Sequence, residues 1–279
     1  MSENLASLFQ DYYCSLSNKN YSVDTLDRVF GGASRETYKI KLSDDSGNIE
    51  KLVLRLSQDS SLIETEQKTE YLAYSAFQNS QVPVPELIDM DESSERLGKP
   101  FMLMKELKGE AASPFTPDVY HPHEKDLGKQ FWYILGQIAS AQIDKKIFES
   151  LSSESKDPHW KQELDKWVKV IRDDSISIEP ILEAGIRYLY RNPPEENDHQ
   201  CLVHGDYRSG NFLYLENKVT GILDWEMAHI GNPLEDLAWA LSPIWSWQDK
   251  QRPAYLISRE EALTIWEESS KIQIDQDQL

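Results

Sequence analysis

The chain has 279 residues, of which 39% are hydrophobic and 28% are charged, a balance typical of globular proteins and not of disordered ones. Its 48 acidic residues outnumber the 29 basic ones, and the resulting net charge of −19 excludes nucleic acids and anionic membranes as main partners. The two cysteines, Cys14 and Cys201, give no disulfide framework. Since the chain also has no signal peptide and no apolar run of membrane-spanning length, it is expected to be cytoplasmic.

The first part of the chain is predicted to form a small sheet with two helices. Apolar side chains at helical spacing predict a helix over residues 4–17, and a second helix is predicted over residues 61–79. Five segments are predicted to be strands, the last of them ending near Gly109: TLDRVF, RETYKIKL, EKLVLRLS, QVPVPELIDM and KPFMLMKELKGE.

The remainder of the chain is mostly helical in pattern. Residues 127–145, 158–172 and 177–191 each show a helical apolar period, and further helices are predicted to begin near Leu234 and Arg259. Between these groups lie two short strands with a turn at 216–218. The sequence therefore predicts an α+β protein, with a β-rich N-terminal half joined to a helical C-terminal half.

Three polar side chains stand out in the stretch LVHGDYRSGNFLYLENKVTGILDWE. Asp206 and Asn211 lie five residues apart across a predicted loop, and Asp224 ends the following hairpin. Carboxylate and amide oxygens of this kind suit Mg²⁺, and an oxygen left off the metal can accept a proton from a hydroxyl. The alternative is an ordinary solvated turn, in which such residues only cap backbone groups.

HGDYRSGN followed by ILDWE resembles the catalytic block of the aminoglycoside phosphotransferase and choline kinase-like group, which shares the protein-kinase fold. The resemblance implies a two-lobed protein with a nucleotide-binding lobe over residues 1–108 and a helical catalytic lobe over residues 109–279. It also implies that Asp206 is the catalytic base, that Asn211 and Asp224 hold Mg²⁺, and that His204 supports the loop.

The same resemblance assigns nucleotide-binding residues in the N-terminal half. In GGAS, the glycines Gly31 and Gly32 with Ser34 are expected to form a turn over the phosphates, although such turns are common. Arg55 in LVLRL stands where the family carries a basic residue that grips the phosphates. Its expected ion-pair partner is Glu70 on the next helix, with Glu66 as the competing candidate.

Two further segments fit the group. In KEL, the backbone around Lys105, Glu106 and Leu107 resembles the hinge that hydrogen-bonds adenine. In HIGNPLEDLAWAL, Asp236 is expected to brace the catalytic loop, although Asn232 stands where the family usually has Asp. Relatives usually continue beyond this point with further helices that line the acceptor pocket, so the resemblance implies either a trimmed lobe or a truncated chain.

Together, GGASRETY, VLR, HGDYRSGN and LDWE look most similar to the branch associated with acyl-CoA dehydrogenases. This resemblance implies a kinase that uses Mg²⁺ and ATP (or GTP) to phosphorylate a hydroxyl of a small molecule, a hydroxyacyl compound before an aminoglycoside. Two other hypotheses stay open: a nucleotide-binding pseudokinase, and a metal-dependent hydrolase that would use His204, Asp206, Asp224 and His229. The oligomeric state is not indicated.

Overall fold

The computed structural model describes residues 2–29, 35–57, 67–112, 116, 118–194 and 199–275. The N-terminal half consists of two helices and a five-stranded sheet. Its elements are α1 (Ser2–Ser17), β1 (Tyr21–Val29), β2 (Arg35–Asp44), β3 (Ile49–Ser57), α2 (Gln67–Phe77), β4 (Leu87–Asp91) and β5 (Phe101–Lys105). The strands lie in the order β1-β2-β3-β5-β4, and each neighbouring pair is antiparallel.

The alternation of side chains along β3 decides which residues reach the second half of the molecule. Leu52, Leu54 and Leu56 are buried in a cluster that also contains Phe9 of α1. Since successive side chains of a strand point to opposite faces, Arg55 lies on the other face, where it meets α2. One face of the sheet is therefore apolar and packs against α1, and the other face carries Arg55 beside α2.

The C-terminal half surrounds two small antiparallel sheets with helices. Its helices are α3 (Glu124–Ala139), α4 (Lys145–Leu151), α5 (His159–Asp174), α6 (Pro180–Arg191), α7 (Pro233–Leu241) and α8 (Arg259–Ser270). Its strands are β6 (Glu110–Ala111), β7 (Cys201–Val203), β8 (Phe212–Leu215), β9 (Lys218–Ile222) and β10 (His229–Gly231). One sheet has the order β6-β8-β9 and the other pairs β7 with β10.

The core of this half forms where α3 packs against α8. Trp132 of α3 and Trp266 of α8 are fully buried. The two helices approach closely at Gly136, where an added Cβ would lie 1.8 Å from Ser269 Oγ, so the small residue is required there. Within the described part of the chain, no helix has both the length and the apolar character needed to cross a membrane.

The predicted α+β class is confirmed, and two element boundaries were wrong. The helix expected over residues 127–145 ends at Ala139, and a separate helix, α4, begins at Lys145, where the Asp144 side chain caps it by accepting from Lys146 N–H at 2.8 Å. The strand expected to end near Gly109 stops at Lys105, and Glu110 begins β6. Because β6 pairs with β8, we propose that the boundary between the lobes lies at 108/109 as predicted.

Candidate active site

A buried ion pair joins the sheet to α2. Arg55 Nη1 lies 2.7 Å from Glu70 Oε1, and the Glu70 side chain has no solvent exposure. Burial raises the pKa of Glu70 to about 7, against the opposing effect of Arg55. Burial likewise opposes the charge of Arg55, but Glu70 and Asp224 outweigh it and raise the pKa of Arg55 above its ordinary value. The pair fixes the guanidinium in place.

The same guanidinium reaches across to the C-terminal half. Arg55 Nη2 lies 3.3 Å from Asp224 Oδ1, and the Asp224 N–H donates to Tyr74 Oη of α2 at 3.2 Å. Asp224 has φ 68° and ψ 53°, a left-handed conformation that is uncommon for a residue other than glycine and often marks functional sites. The turn thereby places an acidic side chain directly beside Arg55.

His204 and Asp236 brace the loop that carries Asp206. The Asp236 carboxylate accepts from His204 N–H at 2.6 Å and from Gly205 N–H at 2.9 Å. His204 Nε2 donates to Leu223 O at 2.9 Å, while its Nδ1 accepts from Asp206 N–H at 3.2 Å. Burial lowers the pKa of His204 to about 4, so the ring is neutral, and burial raises the pKa of Asp236 to about 7.

The His204 ring therefore links the two acidic segments of the site. It contacts the backbone just before Asp224 through Leu223 and the backbone of Asp206 itself. A second link is the hydrogen bond from Leu223 N–H to Asn211 O at 2.8 Å. Both segments are thus held against each other by backbone contacts, and their side chains share one region of the molecule.

Three side chains donate to the Asp206 carboxylate. Arg208 Nε lies 3.0 Å from both Asp206 oxygens, Asn211 Nδ2 lies 2.7 Å from Oδ2, and Trp239 Nε1 lies 2.7 Å from Oδ1. The Arg208 guanidinium also packs over the ring of Trp245, 4.6 Å from its centroid. The sequence prediction missed Arg208, Trp239 and Trp245. Of these three, only Arg208 could have been suspected from the sequence, because it lies two residues after Asp206.

The donor set suits a hard cation. Asn211 uses its Nδ2 on the backbone and side chain of Asp206, so its Oδ1 is the atom left to act as a ligand. The Asp224 side chain is 38% exposed, and only its Oδ1 contacts Arg55. A carboxylate and an amide oxygen are the ligands that Mg²⁺ takes alongside phosphate oxygens and water, so these two residues fit the predicted ion.

The predicted adenine hinge follows β5. Lys105 N–H donates to Glu86 O at 2.8 Å and Glu106 N–H donates to Lys51 O at 2.9 Å, so both are already used. In the described part of the chain the N–H of Leu107 has no partner. Its side chain packs over β9, where a Cβ added to Gly221 would lie 2.4 Å from Leu107 Cδ1. Leu107 is the hinge residue with a donor to offer.

The remaining predicted residues lie outside the described ranges. These are Gly31, Gly32 and Ser34 of the phosphate turn, together with Glu66, the competitor of Glu70. Their roles stay predictions.

His229 belongs to a different cluster. Its Nε2 lies 3.2 Å from Glu235 Oε2 and 3.6 Å from Glu163 Oε1. Within the described ranges, these three residues form the one group of metal-ligand type that lies within 4.8 Å, and it includes neither Asp206 nor Asp224. Since both ring nitrogens of His204 are also engaged in hydrogen bonds, the geometry does not support the hydrolase hypothesis.

The lobed fold and the paired acidic segments define a phosphotransferase of the kinase-like class. A profile described as the phosphotransferase enzyme family matches residues 25–270, and the chain belongs to that family. The family-level resemblance predicted from HGDYRSGN and ILDWE is thereby confirmed.

Individual relatives agree. The chain is 28% identical over 214 residues to acyl-CoA dehydrogenase family member 10 of Mus musculus, a match that covers 75% of this chain and 19% of the relative's length. A putative aminoglycoside phosphotransferase from Ralstonia eutropha superposes with a TM-score of 0.74 at 16% identity, over 96% of this chain and 81% of that chain. The streptomycin–ATP complex of an aminoglycoside phosphotransferase gives a TM-score of 0.60 at 18% identity, over 96% and 82%. These two similarities confirm the predicted fold.

Proposed function

We propose that the protein transfers the γ-phosphoryl group of ATP to a hydroxyl of a small molecule. The observation that carries the proposal is the contact of Arg55 with both Glu70 and Asp224, beside the loop that bears Asp206. A cation for the phosphates, an acidic metal ligand and a carboxylate for the acceptor are thus assembled from both halves of the chain. This is the set of parts that phosphoryl transfer requires.

On the nucleotide side, Arg55 would bind the phosphates and Leu107 N–H would donate to the base. A planar guanidinium held by a buried carboxylate loses little further freedom when phosphate oxygens bind to it. The structural neighbour in complex with streptomycin and ATP supports ATP as the donor, with GTP as the alternative. Asn211 and Asp224 would hold Mg²⁺, which when bound offsets charge on the transferred group.

On the acceptor side, Asp206 would accept the proton. The acceptor oxygen forms a bond to the γ-phosphorus, the bond from that phosphorus to the bridging oxygen of the diphosphate breaks, and the hydroxyl proton passes to an Asp206 oxygen. The nucleoside diphosphate leaves with the bonding electron pair. His204 and Asp236 hold the backbone of Asp206 while this happens.

For the acceptor we favour a hydroxyacyl compound. The similarity to an acyl-CoA dehydrogenase family member supports this class, since the matched segment is part of a protein named for acyl-CoA chemistry. Aminoglycosides come second, on the names of the structural neighbours.

A cytoplasmic location, expected in part from the two cysteines, stays a prediction. Both cysteines are free in the structure.

An ATP-consumption screen tests the proposal. The panel contains hydroxy acids, their CoA esters, aminoglycosides and amino alcohols, each with Mg²⁺ and with ATP or GTP. We expect nucleotide consumption that depends on a hydroxyl acceptor, with the hydroxyacyl group highest. A nucleotide-dependent rise in melting temperature without consumption across the whole panel would contradict the proposal and favour the pseudokinase hypothesis.

A further inference from the structure

The Asp206 carboxylate is fully occupied in the acceptor-free protein. Its Oδ1 accepts from Trp239 Nε1 at 2.7 Å and its Oδ2 accepts from Asn211 Nδ2 at 2.7 Å, while Arg208 Nε lies 3.0 Å from both oxygens. A hydroxyl must come within hydrogen-bonding reach of one of these oxygens before its proton can be taken. One of the three donors has to give way when an acceptor binds.

Of the three donors, Arg208 is the one that carries a positive charge, so an anion can draw it away from Asp206. Asn211 is 7% exposed and also binds the Asp206 carbonyl, so it is fixed. Arg208 has a 21% exposed side chain, and its guanidinium carbon lies over the Trp245 ring, 4.6 Å from the centroid. Its Nη1 donates to Ser209 O at 3.0 Å, whereas Nη2 has no partner in the described part of the chain. An arginine held by stacking, with donors unused, is suited to bind an anion.

We infer that Arg208 is a positioning residue that binds an anionic group of the acceptor and covers Asp206 until that group arrives. The inference rests on the proposed function, because it assumes that Asp206 receives the acceptor proton. A carboxylate or phosphate on the acceptor would compete with Asp206 for the edge formed by Nε and Nη2. The guanidinium would then bridge both anions, and one Asp206 oxygen would open to the hydroxyl.

Two consequences follow for substrate choice. A neutral alcohol gains nothing from Arg208 and must compete with it for Asp206, so it should be a poor acceptor. Water is also neutral, so the same contact should suppress hydrolysis of the nucleotide when no acceptor is present. The stacked Trp245 keeps the guanidinium close to its resting position, so the base is covered again after each turnover.

The test compares Arg208→Gln with wild type on three acceptors: a short hydroxy acid, the diol of matched length, and the CoA thioester of the same acid. We expect the variant to raise the KM for an anionic acceptor about 10-fold to 100-fold, the value of a charge-assisted hydrogen bond. The KM for the diol should not rise and should fall, because the diol no longer competes with Arg208 for Asp206, and for the same reason acceptor-free nucleotide hydrolysis should rise. Arg259→Gln, an exposed arginine of α8, controls for the loss of charge.

Comparison of the three acceptors also identifies which anionic group Arg208 binds. A KM effect on the free acid alone indicates a carboxylate, and an equal effect on the thioester, whose carboxylate is masked, indicates a phosphate of the carrier. Equal KM changes for the acid and the diol, with unchanged hydrolysis, would overturn the inference. Where Arg208→Gln does not fold, Arg208→Lys keeps the charge without the planar fork, and it should show the same acid-to-diol difference at smaller size.

Failure of the inference differs from failure of the proposed function. If wild type phosphorylates acceptors and Arg208→Gln behaves as wild type does on all three, only the role of Arg208 is wrong. If wild type consumes no nucleotide with any acceptor while nucleotide still raises its melting temperature, the proposed function itself is wrong, and this inference fails with it.

Discussion

The proposed nucleotide side and the proposed acceptor side of the site are built differently. On the nucleotide side, Arg55 and Glu70 form a buried pair that ties β3 to α2 and extends to Asp224 in the other half. On the acceptor side, Asp206 is partly exposed and is covered by Arg208 and Trp239, whose side chains reach solvent. On the proposed function, the first arrangement would bind phosphates without a change of structure, whereas Asp206 would have to lose one of its present donors before it could act as the base.

Because of this difference, the charged pairs on the two sides should contribute differently to stability. A buried ion pair fixes geometry, and it costs stability when one partner is removed. The pair of Asp206 and Arg208 is partly exposed, so breaking it costs less stability. Changes on the nucleotide side should therefore affect folding and catalysis together, and changes on the acceptor side should affect catalysis alone.

The largest effect is expected at the junction of the two sides. Asp224→Asn keeps the size of the side chain but removes the charge that would hold Mg²⁺ and that faces Arg55. We expect kcat to fall by about 10²–10³-fold, the usual loss when one electrostatic contact to the reacting group is removed. Steady-state kinetics measure the loss. Asp173→Asn, an exposed residue of α5, is the matched control and should keep wild-type kcat.

The second effect concerns the buried pair. Glu70→Ala leaves Arg55 without its closest partner, so the free energy of unfolding should fall by about 3 kcal/mol, the low end for such pairs because Asp224 remains. Urea unfolding measures it. The double variant Arg55→Met/Glu70→Leu should recover most of that stability and none of the activity. Recovery of activity in the double variant would mean that the pair does not serve the phosphates.

The smallest effect concerns the pH dependence of stability at His229, which lies beside Glu235 and Glu163. Burial opposes charge on His229, but Glu235 and Glu163 outweigh it and raise its pKa to about 9. A raised folded-state pKa contributes stability in full below the ordinary value of about 6.5, and this contribution is lost as the pH rises through about 9. The melting-temperature gap between wild type and His229→Gln should therefore narrow from pH 6.5 to pH 10. A constant gap would contradict this assignment of charge.

The sequence predicted well whatever depends on local pattern. The strand predicted over EKLVLRLS is β3, and the segments that carry Asp206 and Asp224 are linked in the structure through His204. It failed between Ala139 and Asp144, where apolar residues continue past the end of α3 and the Asp144 side chain caps a separate helix. Pattern alone does not distinguish one bent segment from two helices.

The acceptor side was beyond reach of the sequence for a different reason. Trp239 donates to Asp206 across 33 positions of the chain, and Trp245 supports Arg208 from beyond the end of α7. Such contacts depend on how α7 packs against β7, and no spacing in the sequence records that packing. Arg208 was visible two residues after Asp206, but its meaning depends on the tryptophans that surround it.

The role of Asp206 is the central claim, and one paired measurement on Asp206→Asn tests it most directly. The measurement records acceptor-dependent nucleotide consumption and the nucleotide-dependent melting-temperature shift, side by side with wild type. We expect the variant to lose turnover while it keeps the shift, because the side chain would act on the acceptor and not on the nucleotide. Undiminished phosphoryl transfer by Asp206→Asn would contradict the account.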